Sequence, residues 1–214
     1  MSKSKNNPKA ILPKGFKDSD IEIINRSLAL LGIESITSLS DNTKQASTAR
    51  VLFNDTRAAV FRGHPWNCLT TRAALPKDIS VPAYEYSNKF VLPADYLRLL
   101  SVENATQVTY QVEGGFILSN EDTFNIKYTA LVTDVTKYDT LLVDSLCARL
   151  AADLAQPLLQ STGAMEQMWQ MYELKLREAK FVDAQEQQQD VLDADYWLDS
   201  RQGISRPNIT TPPR

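Results

Sequence analysis

The chain holds one histidine, His64, in the run His64-Pro65-Trp66-Asn67. No set of cysteines and histidines spaced as a zinc site surrounds it, so a capping or core role is expected. Cys68 and Cys147 are too few for a disulfide framework and read as small buried apolar residues. The acid pairs, Glu121-Asp122 and Asp193 with Asp195, fall in a turn and in a tail, where carboxylates are solvated, and no partner acid or base can be named for them. The seven glycines include no phosphate loop and no dinucleotide fingerprint, and no serine sits in a nucleophile elbow. These residues do not assemble a catalytic constellation, an enzyme is not favoured, and no cofactor or metal is expected.

The elements that would position such residues are legible from periodicity. Met165, Met168, Trp169, Tyr172, Leu176 and Ala179 repeat on one helical face, with Ser161 or Thr162 placed as N-cap and Lys175, Arg177 and Lys180 late in the run. The preceding helix carries Leu142, Leu146, Leu150 and Leu154 on one ridge and Ala148, Ala151, Ala152 and Ala155 beside it, small side chains that let a neighbouring backbone approach. That neighbour is expected within the same chain, without excluding a second copy. Pro157 should kink or end this helix. Near the N-terminus, Ile21, Ile24, Leu28 and Leu31 predict a helix closed by Gly32, and Ala49, Leu52, Phe53, Thr56 and Val60 predict a second ending near Gly63.

From Trp66 the period shortens. Segments near 67–74, 84–92, 97–103, 107–113, 115–119 and 124–131 are rich in Tyr, Val, Phe and Thr and read as a small antiparallel sheet. Gly114-Gly115 predicts a two-residue hairpin turn, and Asn120-Glu121-Asp122 the next turn. The expectation is therefore an α+β chain. A four-helix bundle, formed by two N-terminal and two long C-terminal helices over 18–65 and 135–189, would carry an inserted small antiparallel β domain over 66–134. Residues 1–17 would be a basic leader and residues 190–214 an extended arm. Leu52, Phe53, Leu146, Leu150, Trp169 and Tyr172 are the expected bundle core.

At 214 residues, 43% hydrophobic and 23% charged, the composition is that of a soluble globular protein. No apolar run approaches the ~20 residues that span a bilayer, so no membrane role and an intracellular setting are expected. Five lysines and no acid lie in residues 1–17, which leaves 18 basic against 26 acidic side chains in the rest, a net of −8. An acidic body opposes tight nucleic-acid binding, because neutralising phosphates is what supplies its affinity. In the arm, Tyr196, Trp197 and Leu198 sit among aspartates, an aromatic anchor in a segment too polar to fold alone.

Several stretches, taken together and in order, resemble the tail tubular protein A family, the head-to-tail adaptors of short-tailed bacteriophages. They are Arg50-Val51-Leu52-Phe53 with Arg57, Arg62-Gly63-His64-Pro65-Trp66-Asn67, Arg72-Ala73-Ala74-Leu75 and Tyr84-Glu85-Tyr86. Further on come Phe90 to Arg98, Tyr110 to Phe116, Ala151 to Ala155, and Lys175 to Gln185. The resemblance covers about residues 20–190 and does not include the basic leader. It implies an α+β protomer of a ring, generally of twelve, set between portal protein and tail nozzle protein in the virion tail and assembled in the host cytoplasm, with DNA passing through the channel unbound. On that reading Tyr196, Trp197, Leu198, Arg201, Arg206 and Arg214 form the interface with the portal or a neighbouring protomer. Glu113, Phe116 and Asp122 would lie on hairpins facing the nozzle. Two other classes compete, a nucleic-acid-binding regulator using the lysine leader and a small α+β enzyme. The first would show salt-dependent duplex binding lost with residues 1–17, the second a pocket of convergent polar groups.

Overall fold

A computed structural model describes residues 18–104 and 107–186. The leader and the arm, including Tyr196, Trp197, Leu198, Arg201, Arg206 and Arg214, lie outside the described residues. The described residues form four α-helices and two three-stranded antiparallel sheets.

Helix α1, Asp18–Leu30, buries Ile23, Ile24 and Leu28, and the chain turns out of it at Gly32, whose φ of +69° suits glycine. Helix α2, Lys44–Gly63, starts at Thr43, whose hydroxyl accepts the Ala46 N–H, and stops at His64, ahead of Pro65. Helix α3, Thr140–Leu159, is capped by Asp139, which accepts the N–H groups of Leu141 and Leu142. It runs through Pro157 and ends two residues later, where Gln160 turns left-handed at φ +53°. Helix α4, Thr162–Gln185, is capped by Ser161 through the Ala164 N–H.

The expected bundle of an N-terminal helix pair and a C-terminal helix pair does not form. Helix α3 is instead the hub: α1, α2 and α4 each pack along it, while α1 and α2 do not pair along their lengths. The cause lies in α3 itself, whose leucine ridge and alanine side are both buried, so it is apolar around most of its circumference and takes neighbours on several sides. The core list changes with it. Phe53, Leu146, Leu150 and Tyr172 are buried, Leu52 is half-buried, and Trp169 is 39% exposed. One face of the Trp169 ring lies under the Arg149 guanidinium at 4.3 Å, its edge meets Tyr172, and its Nε1 donates to Glu173 at 3.2 Å. The indole is thus held by polar neighbours beside α3 and is not sunk among apolar ones.

The single small sheet expected from the sequence is two sheets. In the first, β1 (Thr70–Leu75) and β3 (Tyr96–Val102) flank β6 (Phe124–Ala130). In the second, β2 (Asn88–Val91) and β4 (Tyr110–Glu113) flank β5 (Phe116–Ser119). Leu75, Val102, Phe124, Ile126 and Tyr128 of the first sheet and Phe90 and Ile117 of the second share one apolar core, separate from the helical one. The strand expected over 84–92 begins only at Asn88, because Glu85 is left-handed at φ +70° and the Tyr86 N–H turns back to the Tyr84 carbonyl. Asn67–Leu69 is a 3-10 turn, so β1 starts three residues later than expected.

Candidate functional site

A polar cluster joining distant parts of the chain forms where the helices hand over to the sheets. Trp66 is fully buried, and its indole N–H reaches back to the Val60 carbonyl at 3.2 Å, which fixes the corner after α2. His64 meets the Trp66 ring edge-on, with centroids 4.6 Å apart. Asp183, in the last turn of α4, closes the corner from the other side. Its Oδ1 accepts the Asn67 backbone N–H at 2.9 Å, its Oδ2 lies 3.0 Å from His64 Nε2, and its own carbonyl accepts Asn67 Nδ2 at 2.7 Å. A buried carboxylate with both of its oxygens bonded is satisfied rather than reactive.

A histidine held by a carboxylate supplies two of the three members of a nucleophilic triad, so the neighbouring thiol bears on the chemistry. Burial pushes the Cys68 thiol above its ordinary pKa against a backbone hydrogen bond at Asp139, and the charge of Asp183 pushes it upward too. A thiol kept protonated is a poor nucleophile. Burial also lowers the His64 pKa, against the pull of Asp183, so the ring is neutral at pH 7. In the helical core, burial raises Cys147 to about 11, and the two cysteines are free. Among the described residues no group of three side chains could hold a metal ion, and no helix is long and apolar enough to cross a membrane.

A second locus is the rim of the second sheet. Glu113 and Phe116 face each other across Gly114-Gly115, whose φ angles of +57° and +83° form the two-residue turn expected there. Lys89 Nζ sits 3.8 Å from the Phe116 ring centroid. With Val81, Tyr84, Tyr86 and Gln111 these residues line an open groove of about 410 Å³. Asp122 is elsewhere: it follows the far end of β5 and meets Lys77 Nζ at 3.4 Å. A four-residue strand separates the two turns by ~10–13 Å, so the three residues named from the sequence form two patches. Ile79 and Val81, which no sequence motif singles out, and Tyr84, expected as the start of a strand, are large apolar side chains standing exposed in the connection before β2. Their signal was an apolar content unusual for a proline-bounded loop.

No family model and no curated protein matches this chain.

Proposed function

We propose that the chain is a structural protomer of a head-to-tail adaptor of the tail tubular protein A type, joining a portal to a tail nozzle. The observation that carries this reading is where the resembling stretches lie. His64-Pro65-Trp66-Asn67 and Asp183, from widely separated stretches of the resemblance, converge on one buried clasp. Arg57 lies with Asp20 in a buried ion pair, Phe90 is in the core of the sheets, and the half-buried Tyr96 and Tyr110 pack against that core. These stretches lie at buried joints of the fold, which supports reading the likeness as one of scaffold.

Two surfaces support an assembly role. Leu174 and Phe181, one heptad apart on α4, and Val182 beside them are exposed, an apolar face suited to a neighbouring copy. Ile79, Val81 and Tyr84, with the Glu113–Phe116 hairpin, suit contact with the nozzle, while residues 190–214 would reach the portal or the next protomer. In this reading the ring, generally of twelve, surrounds DNA without binding it, and the protein works in the virion tail.

The test is native mass measurement of the full chain alone and with a purified portal. A closed ring seen with portal supports the adaptor; a chain that stays monomeric with portal present excludes it.

A further inference from the structure

The outer face of the first sheet carries cations that form no ion pair among the described residues. Arg72 of β1 stands directly opposite Lys127 of β6, and Ser101 of β3 flanks Lys127 on the other side. Two residues along β6, Thr129 is opposite Arg98. Side chains alternate along β6, so Lys127 and Thr129 share one face with their cross-strand partners Arg72 and Arg98, although β3 is irregular between Leu99 and Ser101 and Thr129 itself is buried. Like charges directly opposed across strands destabilise a sheet. Among the described residues, none of the three has a carboxylate within ion-pair distance. Glu103, the acid in this groove, has its Oε2 held by Asn125 Nδ2 at 2.6 Å, and the Arg98 guanidinium donates to the Arg62 carbonyl at 3.5 Å. Arg72, Ser101, Glu103, Asn125 and Lys127 line an open groove of about 630 Å³.

The chain leaves the described fold close to this groove. Asp183 is bonded to Asn67, and Asn67 precedes Arg72 by five residues, at most ~18 Å of extended chain. Beyond Glu186, residues 190–199 contain Asp190, Asp193, Asp195 and Asp199, no basic residue, and the apolar trio Tyr196, Trp197 and Leu198. Twelve residues from Asp183 to Asp195 span up to ~40 Å, more than the groove requires.

We propose that residues 190–199 dock on the cationic outer face of the first sheet of their own chain, their aspartates matched to Arg72, Lys127 and Arg98. Tyr196 and Trp197 would cover the apolar stems of those side chains. The inference goes beyond the adaptor reading, since it concerns the unassembled protomer and holds whatever its final partner.

The test is limited chymotryptic cleavage of the full-length chain after Tyr196 and Trp197. Exposed ion pairs are individually weak, so losing two should speed cleavage about five- to tenfold in R72E/K127E. Cleavage should also speed up with added salt. The D193K/D195K variant, which alters only residues outside the described fold, should do the same. Combining the two pairs should return the rate toward that of the original chain. Cleavage at one rate in all variants would overturn the proposal, as would protection that disappears on dilution, which would place the segment on a second copy. Duplex DNA binding that R72E/K127E abolishes, with cleavage unaffected, would also overturn it and make the face a phosphate-binding surface.

Discussion

His64 Nε2 lies 3.0 Å from Asp183 Oδ2 across 119 positions of sequence, and through this contact the end of α4 holds the corner between the helices and the first sheet. A carboxylate only accepts, so the imidazole donates from Nε2. The same Asp183 side chain accepts the Asn67 N–H, so one carboxylate organises both sides of the corner.

This pair makes stability depend on pH in a stated direction. Burial holds the folded His64 pKa below the ordinary 6.5, so the unfolded chain takes up the proton first. Stability therefore falls as pH drops through 6.5 and stops falling, for this group, below the lowered folded pKa. Urea denaturation at about pH 7.5 and about pH 5.5 should show a loss at the lower pH that is smaller in His64→Gln. Equal losses in both proteins would remove His64 as the source.

The second prediction concerns Arg57 and Asp20, whose side chains meet at 3.2 Å and are 3% and 0% exposed. Arg57 also donates to Asn54 Oδ1 at 2.8 Å and lies over the Phe53 ring. Removing one member leaves the other charge buried, so Asp20→Ala should cost ~3–5 kcal/mol. The apolar pair Asp20→Leu with Arg57→Met should cost clearly less than the two single losses added. Additive losses in chemical denaturation would mean the two charges are not coupled.

The helices and most strands were legible because each writes its own period into the chain. Leu142, Leu146, Leu150 and Leu154 declared one buried ridge, and all four are buried. Partner choice is not local, and there the reading failed. Nothing in the spacing of Ile24 or Phe53 says that α1 and α2 pack on α3 instead of on each other. The split into two sheets depends on β6 returning between β1 and β3, a choice of pairing partners. Trp169 fits the helical face by spacing, but its place beside Arg149 and Glu173 leaves it partly in solvent. His64 was expected to cap or pack; it stands at the C-cap position of α2 with its side chain bonded to Asp183, a partner that could not be named from a sequence distance so great. The cation row was hidden for the same reason, since Arg72 and Lys127 are neighbours only after β1 and β6 pair.

The third prediction uses the hairpin. Gly114 and Gly115 have positive φ, and a side chain added at either would meet open space. The cost of substitution is then a backbone cost alone. Gly115→Val should lose ~1–2 kcal/mol, the penalty of a left-handed conformation for a branched residue, while Gly114→Asn should be nearly neutral. Thermal unfolding of the two variants checks this. Equal effects would mean that the turn does not hold its positive φ angles in solution.

The last prediction separates the outer face of α4 from its inner one. Met168, Tyr172 and Ala179 are buried on the inner side, whereas Leu174 and Phe181 are 64% and 65% exposed. Their replacement by glutamate removes little buried area and puts a better helix former at position 181, so the protomer should change in stability by less than ~0.5 kcal/mol. In a ring that packs this face against the next copy, each side chain would contribute ~1.5–3 kcal/mol by burial, and two charges there would be left without water or partner. L174E/F181E should therefore keep the unfolding temperature of the original chain and lose ring assembly on the portal. A ring formed undiminished by the double variant would show that α4 does not face its neighbour. A protomer that unfolds would show instead that the face packs within its own chain, and the contact between copies would then have to lie elsewhere.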